Sequence, residues 1–137
     1  MKIYIGYDKK NALAYEVCVA SLIQHASIPL EIVPVKDWLL RRDKLFWRSY
    51  LVDEKGQHVD RNDRSAFSTD FSFTRFCVPA MAGYQDEWVL FIDSDTMFRD
   101  DIAKLVKTLC SDYAVYCVKH EHKPYEESKM EENGSID

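Results

Sequence analysis

The apolar residues of this chain change period several times, and each change marks an element. Residues 2–8, KIYIGYD, set β-branched apolar positions in alternation and stop at Gly6 and Asp8, which predicts a strand running into a loop. In residues 11–26 the spacing turns helical. Ala14, Cys18, Ser21, Leu22 and His25 fall on one face, and Asn11 is placed to cap the first turn. Residues 30–35, LEIVPV, read as a second strand with Pro34 near its end. Strand, helix, strand in this order builds a parallel sheet under a right-handed crossover.

Between residues 36 and 64 aromatic and charged residues mix, and only a hairpin stands out, with Gly56 at its tip between FWRSYLV and QHVD. STDFSFTRFCV predicts a helix that ends before Pro79. Pro79 then suits the first turn of a short second helix, PAMAGY, because the first N–H groups of a helix have no partner in any case. Five consecutive apolar residues, Trp88 to Ile92, predict a fully buried strand. Ile102, Leu105, Val106 and Leu109 then follow helical spacing over residues 100–110, with Asp100 or Asp101 as cap. YAVYCV, residues 113–118, predicts a further strand, and the tail from Lys119 is polar and without period. The alternation implies an α/β domain over residues 1–118, with a mostly parallel sheet flanked by helices, followed by a polar tail over 119–137.

Composition narrows the function classes. A chain of 137 residues is one domain's worth, and a net charge of −5 argues against general attraction to nucleic acid or anionic lipid. A polyphosphate ligand would need a local cation. No apolar run approaches the roughly 20 residues of a membrane span, and the apolar part of the N-terminus is too short for a signal peptide. Cys18, Cys77, Cys110 and Cys117 form no CxxC pair and lie on apolar stretches, which reads as reduced, buried thiols of a cytoplasmic protein.

The chemistry concentrates in WVLFIDSDTMFRDDI, residues 88–102, where an apolar strand stops at Asp93 and Asp95 with Ser94 between them. In open α/β sheets, ligands bind beyond the carboxyl ends of the strands. Two carboxylates there repel each other unless a proton or a cation intervenes. Oxygen ligands favour Mg²⁺ or Mn²⁺, which in turn can bridge a diphosphate and stabilise a phosphate leaving group. The D-x-D pattern alone carries little, since a chain with 14 Asp holds about 1.4 such pairs by chance. Its weight comes from the apolar strand before it and the capped helix after it. The plain alternative is that both carboxylates only punctuate a turn. Phosphatases of the haloacid dehalogenase type need D-x-D-x-T, but Thr96 stands one position early and Met97 holds its place. The four glycines supply neither a phosphate-binding loop of the G-x-x-x-x-G-K-[ST] kind nor a G-x-G-x-x-G fingerprint.

IYIGYD at the start, STDFSFTRFCVPAMAGY in the middle and WVLFIDSDTMFRDDIAKL after it together resemble the GT-A fold glycosyltransferases, nearest to the family 8 type and its bacterial relatives. The resemblance covers most of residues 1–120. It implies a GT-A-like, Rossmann-like sandwich that holds a nucleotide sugar, usually UDP-linked, through Mn²⁺ (or Mg²⁺) and transfers the sugar with retention to a glycan, lipid or protein acceptor. On this likeness Gly6, Tyr7 and Asp8 would hold the base and ribose, and Arg75 would reach the phosphates or the sugar. Asp93 and Asp95 would ligate the metal, with Ser94 adding a hydroxyl or backbone contact. Such domains commonly run to near twice this length, so the chain looks like the donor-binding half, without the acceptor site and without the family's later His ligand. His120 and His122 come too early in order to be that ligand. With Cys117 they make only a weak zinc-like spacing, for which a solvated loop is the plainer reading. The alternatives to an active transferase are a truncated remnant that still binds nucleotide and metal, and a structural α/β domain whose carboxylates are idle.

Overall fold

The computed structural model describes residues 1–85 and 87–119. In chain order the elements are β1 (Lys2–Gly6), a 3-10 turn (Lys9–Asn11) leading into α1 (Ala12–His25), β2 (Glu31–Val35), α2 (Asp37–Arg42), β3 (Tyr50–Val52), β4 (His58–Asp60), a 3-10 turn (Thr74–Cys77) leading into α3 (Val78–Met81), β5 (Val89–Ile92) and α4 (Ile102–Val106). β1 is the central strand of a parallel three-stranded sheet ordered β2-β1-β5. Ile3 lies opposite Ile32 on one side and Leu90 on the other, and Ile5 opposite Pro34 and Ile92. Pro34, which has no N–H to give a ladder, is accommodated because among the described residues β2 has a neighbour on only one side. β3 and β4 form the expected antiparallel hairpin, and Gly56 turns it with φ +76°, a value glycine adopts without steric cost.

The period of two in β1 divides the core. Ile3 and Ile5 pack with Cys18 and Leu22 of α1 and Ile102 of α4 on one face. Tyr4 points to the other face, where Val35, Leu40 of α2, Phe46 and Val78 of α3 enclose it. Helices therefore cover both faces of the sheet, the α/β arrangement that the alternation of elements implied. Each fully buried aliphatic side chain, such as Ile5 or Leu22, contributes on the order of 1.5–3 kcal/mol.

Several expectations are corrected. β5 is half-buried throughout, because the strand expected over residues 113–118 does not form and leaves β5 at the sheet edge among the described residues. Tyr113, Val115 and Val118 are exposed for the same reason, and so are Cys110 and Cys117. Of the four free thiols, only Cys18 is fully buried. The helix expected over 68–78 contracts to turns and the 3-10 segment, and the short helix after it begins at Val78 and ends at Met81, with Pro79 in its first turn. α4 closes at Val106 rather than running to Cys110. Asp101 is its cap, accepting from the Ala103 N–H at 3.0 Å. Asn11 occupies the cap position of α1 but makes no capping bond with its side chain. His120, His122 and the rest of the tail beyond Lys119 lie outside the described residues.

Candidate functional site

The carboxyl ends of β2, β1 and β5 lie side by side, so Lys36, Tyr7 and Asp93, which follow them directly, line one edge of the sheet. At the β1 end, Asp8 is buried. Its carboxylate accepts from the Lys10 N–H at 2.8 Å and from the Asp70 N–H at 3.4 Å, while Asp70 accepts from the Lys9 N–H at 3.3 Å. Two aspartates thus clamp the loop after β1 to the segment before Arg75. Asp8 is engaged by the fold: it caps the 3-10 turn that leads into α1, and it is tied to Asp70 as well. Gly6 is also required by a protein group: a Cβ there would meet the Phe71 ring at 2.6 Å.

Tyr7 is half-buried among aromatic rings. Tyr15 of α1 packs edge-on at 5.3 Å and Trp38 of α2 at 5.6 Å between centroids. The Lys36 ammonium stands 4.7 Å from the Tyr7 centroid and the Lys9 ammonium 4.3 Å from that of Trp38, both within cation–π range. No ion-pair partner lies near either lysine among the described residues. This aromatic and cationic corner went unnoticed in the sequence. The available signal was the rule used for the other strands: Lys36 and Trp38 directly follow the carboxyl end of β2.

At the β5 end, a turn closed by the Thr96 N–H donating to the Asp93 carbonyl at 3.3 Å carries both carboxylates. Asp93 faces Arg75, with Nη1 to Oδ1 at 3.4 Å. That oxygen is buried and accepts no hydrogen bond. Burial raises the Asp93 carboxyl above the usual carboxylate range. Arg75 acts against this shift, and the Asp95 charge adds to it. Arg75 lies over the rings of Phe71 and Phe91, each centroid 5.5 Å away, and its Nε donates to the Phe71 carbonyl at 3.4 Å. Its remaining N–H groups have no protein partner among the described residues. Asp95 lies toward α1. With Ser94, which is 4% exposed, it lines an open groove of about 310 Å³ against Asn11, against Leu13, Ala14 and Val17 of α1, and against the adjoining Met97. Burial, with the Asp95 charge nearby, pushes the Cys18 thiol up to about 11, so it is inert at neutral pH. Ser21 of α1 holds this turn in place: its hydroxyl accepts from the Phe98 N–H at 3.0 Å and donates to the Cys18 carbonyl.

The fold therefore brings Arg75 and Asp93 together, sets Ser94 and Asp95 beside them on the groove, and places Tyr7 one strand away. Gly6 and Asp8 are near but already engaged. As donors for a divalent cation, Asp93 and Asp95 supply hard oxygens, and the unbonded Asp93 Oδ1 fits that use. Among the described residues no group of three or more His, Cys, Asp or Glu converges. The remaining positions on such an ion would fall to phosphate oxygens and water, as Mg²⁺-like ions accept.

No family model matches the chain, and no solved structure matches it. It is similar to Protein CDI of Arabidopsis thaliana, with 38% identity over 130 residues, a match that takes in 95% of this chain and 45% of that protein. The chain thus spans less than half the length of the curated relative it matches. No helix among the described residues is long and apolar enough to cross a membrane.

Proposed function

We propose that this chain forms the donor-binding part of a GT-A-type glycosyltransferase, holding the diphosphate of a UDP-linked sugar through a divalent cation on Asp93 and Asp95. The observation that carries the reading is the state of the two carboxylates. They sit at the carboxyl end of a parallel strand, one with a buried oxygen that accepts no hydrogen bond, the other on an open groove without an ion-pair partner among the described residues. A bound Mn²⁺ would neutralise the diphosphate and make the nucleoside diphosphate a better leaving group. The chain's own groups do the rest. The guanidinium of Arg75 offers its free edge to phosphate oxygens, and a fork of that kind suits them. Tyr7 and Trp38 provide aromatic faces for a base, and Lys9 and Lys36 add positive charge to an acidic protein.

Thermal melting with UDP, with Mn²⁺ and with both tests the reading. UDP with Mn²⁺ raises Tm by several degrees, since a ligand at 100 times its Kd adds about 2.7 kcal/mol. UDP alone leaves Tm in place, and Asp95→Asn abolishes the shift without lowering the ligand-free Tm. An absent shift in the unmodified protein leaves the carboxylates idle and ends the proposal. Release of UDP from a UDP-sugar then separates turnover from binding alone.

A further inference from the structure

The position of Arg75 has a consequence for how a cation enters. An arginine that serves only the phosphates would stand clear of the metal carboxylates. Here it is turned onto one of them, 3.4 Å from Asp93 Oδ1, and that oxygen has no other partner. The contact is longer than the 2.7–2.9 Å of a well-formed charge-assisted hydrogen bond, so it is a loose pair that can exchange. The guanidinium is held in place by other contacts: Phe71 and Phe91 flank it, and its Nε reaches the Phe71 carbonyl. Phe71 is in turn fixed against Gly6.

We infer that Arg75 is an internal counter-cation for Asp93, which makes metal binding conditional on an anionic donor. The inference rests on the donor-site reading above and deepens it. Without a ligand, two carboxylates and one guanidinium leave the site a single formal negative charge, and the guanidinium stands on one of the two carboxylates. A divalent cation arriving alone must compete with Arg75 for Asp93. A nucleoside diphosphate supplies the oxygens toward which Arg75 can turn, and that exchange frees Asp93 for the ion. Metal and diphosphate then bind each other's partner sites with positive coupling, and the coupling is reciprocal.

One substitution therefore has two effects of opposite sign. Arg75→Gln removes the charge but keeps a polar side chain of similar reach. It is expected to bind Mn²⁺ alone roughly tenfold tighter than the unmodified protein, a change of ~1.4 kcal/mol. It is also expected to bind UDP with Mn²⁺ more weakly. Arg75→Lys keeps the charge and restores weak binding of Mn²⁺ alone, a rescue that a merely structural role for Arg75 would not produce. The measurement is titration of Mn²⁺ by electron paramagnetic resonance of the free ion, with and without UDP, on all three proteins. Melting curves establish that each is folded, and Arg75→Met replaces the Gln variant if that one is not. If the neutral variant binds Mn²⁺ alone no tighter than the unmodified protein, the counter-cation role is overturned while the donor site stands. If the unmodified protein binds no Mn²⁺ even with UDP present, the donor reading fails and this inference with it.

Discussion

Among the described residues, two arginine–aspartate pairs stand at the ends of strands, and they are built to opposite specifications. Asp60, at the end of β4, is fully buried. It pairs with Arg48 and also accepts from the N–H groups of Asn62 at 2.7 Å and Asp63 at 3.1 Å. Arg48 is itself shared with Asp63 at 2.8 Å and lies 4.2 Å from the Phe73 centroid. Arg48 foremost, then the two backbone donors, hold the Asp60 carboxyl below the usual range. Asp93, at the end of β5, has one loose contact to Arg75 and a buried oxygen with no hydrogen bond, and its carboxyl is raised. The same two residue types therefore make a structural clamp where backbone donors complete the shell, and an unfinished shell where they do not. An unfinished shell at a strand's carboxyl end is where a ligand would supply the missing partner.

The largest effect should come from breaking the complete pair. Asp60→Ala leaves Arg48 and two backbone donors without their acceptor and releases the hairpin, and should lower Tm by roughly 10 °C in calorimetry. A fall of only a degree or two would remove the distinction drawn between the pairs. Next in size is Gly6→Ala, which tests the packing beneath Arg75. The added methyl meets the buried Phe71 ring at 2.6 Å and should cost about 1–3 kcal/mol in denaturant unfolding. The smallest effect belongs to the incomplete pair. A carboxyl raised in the folded state contributes stability that is full below its unfolded pKa and is lost as pH rises through the folded value. Asp93→Asn should therefore flatten the stability profile above the usual carboxylate range and add a few tenths of a kcal/mol at neutral pH. The gain is small because Asp93 is partly exposed and water screens it. A stability loss in that variant at neutral pH would class Asp93 with Asp60.

Much of the architecture was legible from residue order. The alternation in KIYIG, the helical spacing of Cys18, Ser21 and Leu22, and the Gly56 turn each report a local period or a backbone requirement, and these survive folding because neighbours in sequence enforce them. The position of Asp93 and Asp95 at a strand end was legible for the same reason. The burial of β5 and the strand over residues 113–118 were not, since a run of apolar residues specifies that a strand is able to pair but not that a partner lies beside it. Nor could the sequence show that Asp8 is tied to Asp70, that Phe71 occupies the space above Gly6, or that Arg75 rests on Asp93. Those are contacts between segments 18 to 65 positions apart, as with Arg75 and Asp93 or Gly6 and Phe71. Whether a carboxylate is satisfied or left open depends on which donors the tertiary fold brings within about 3 Å of it.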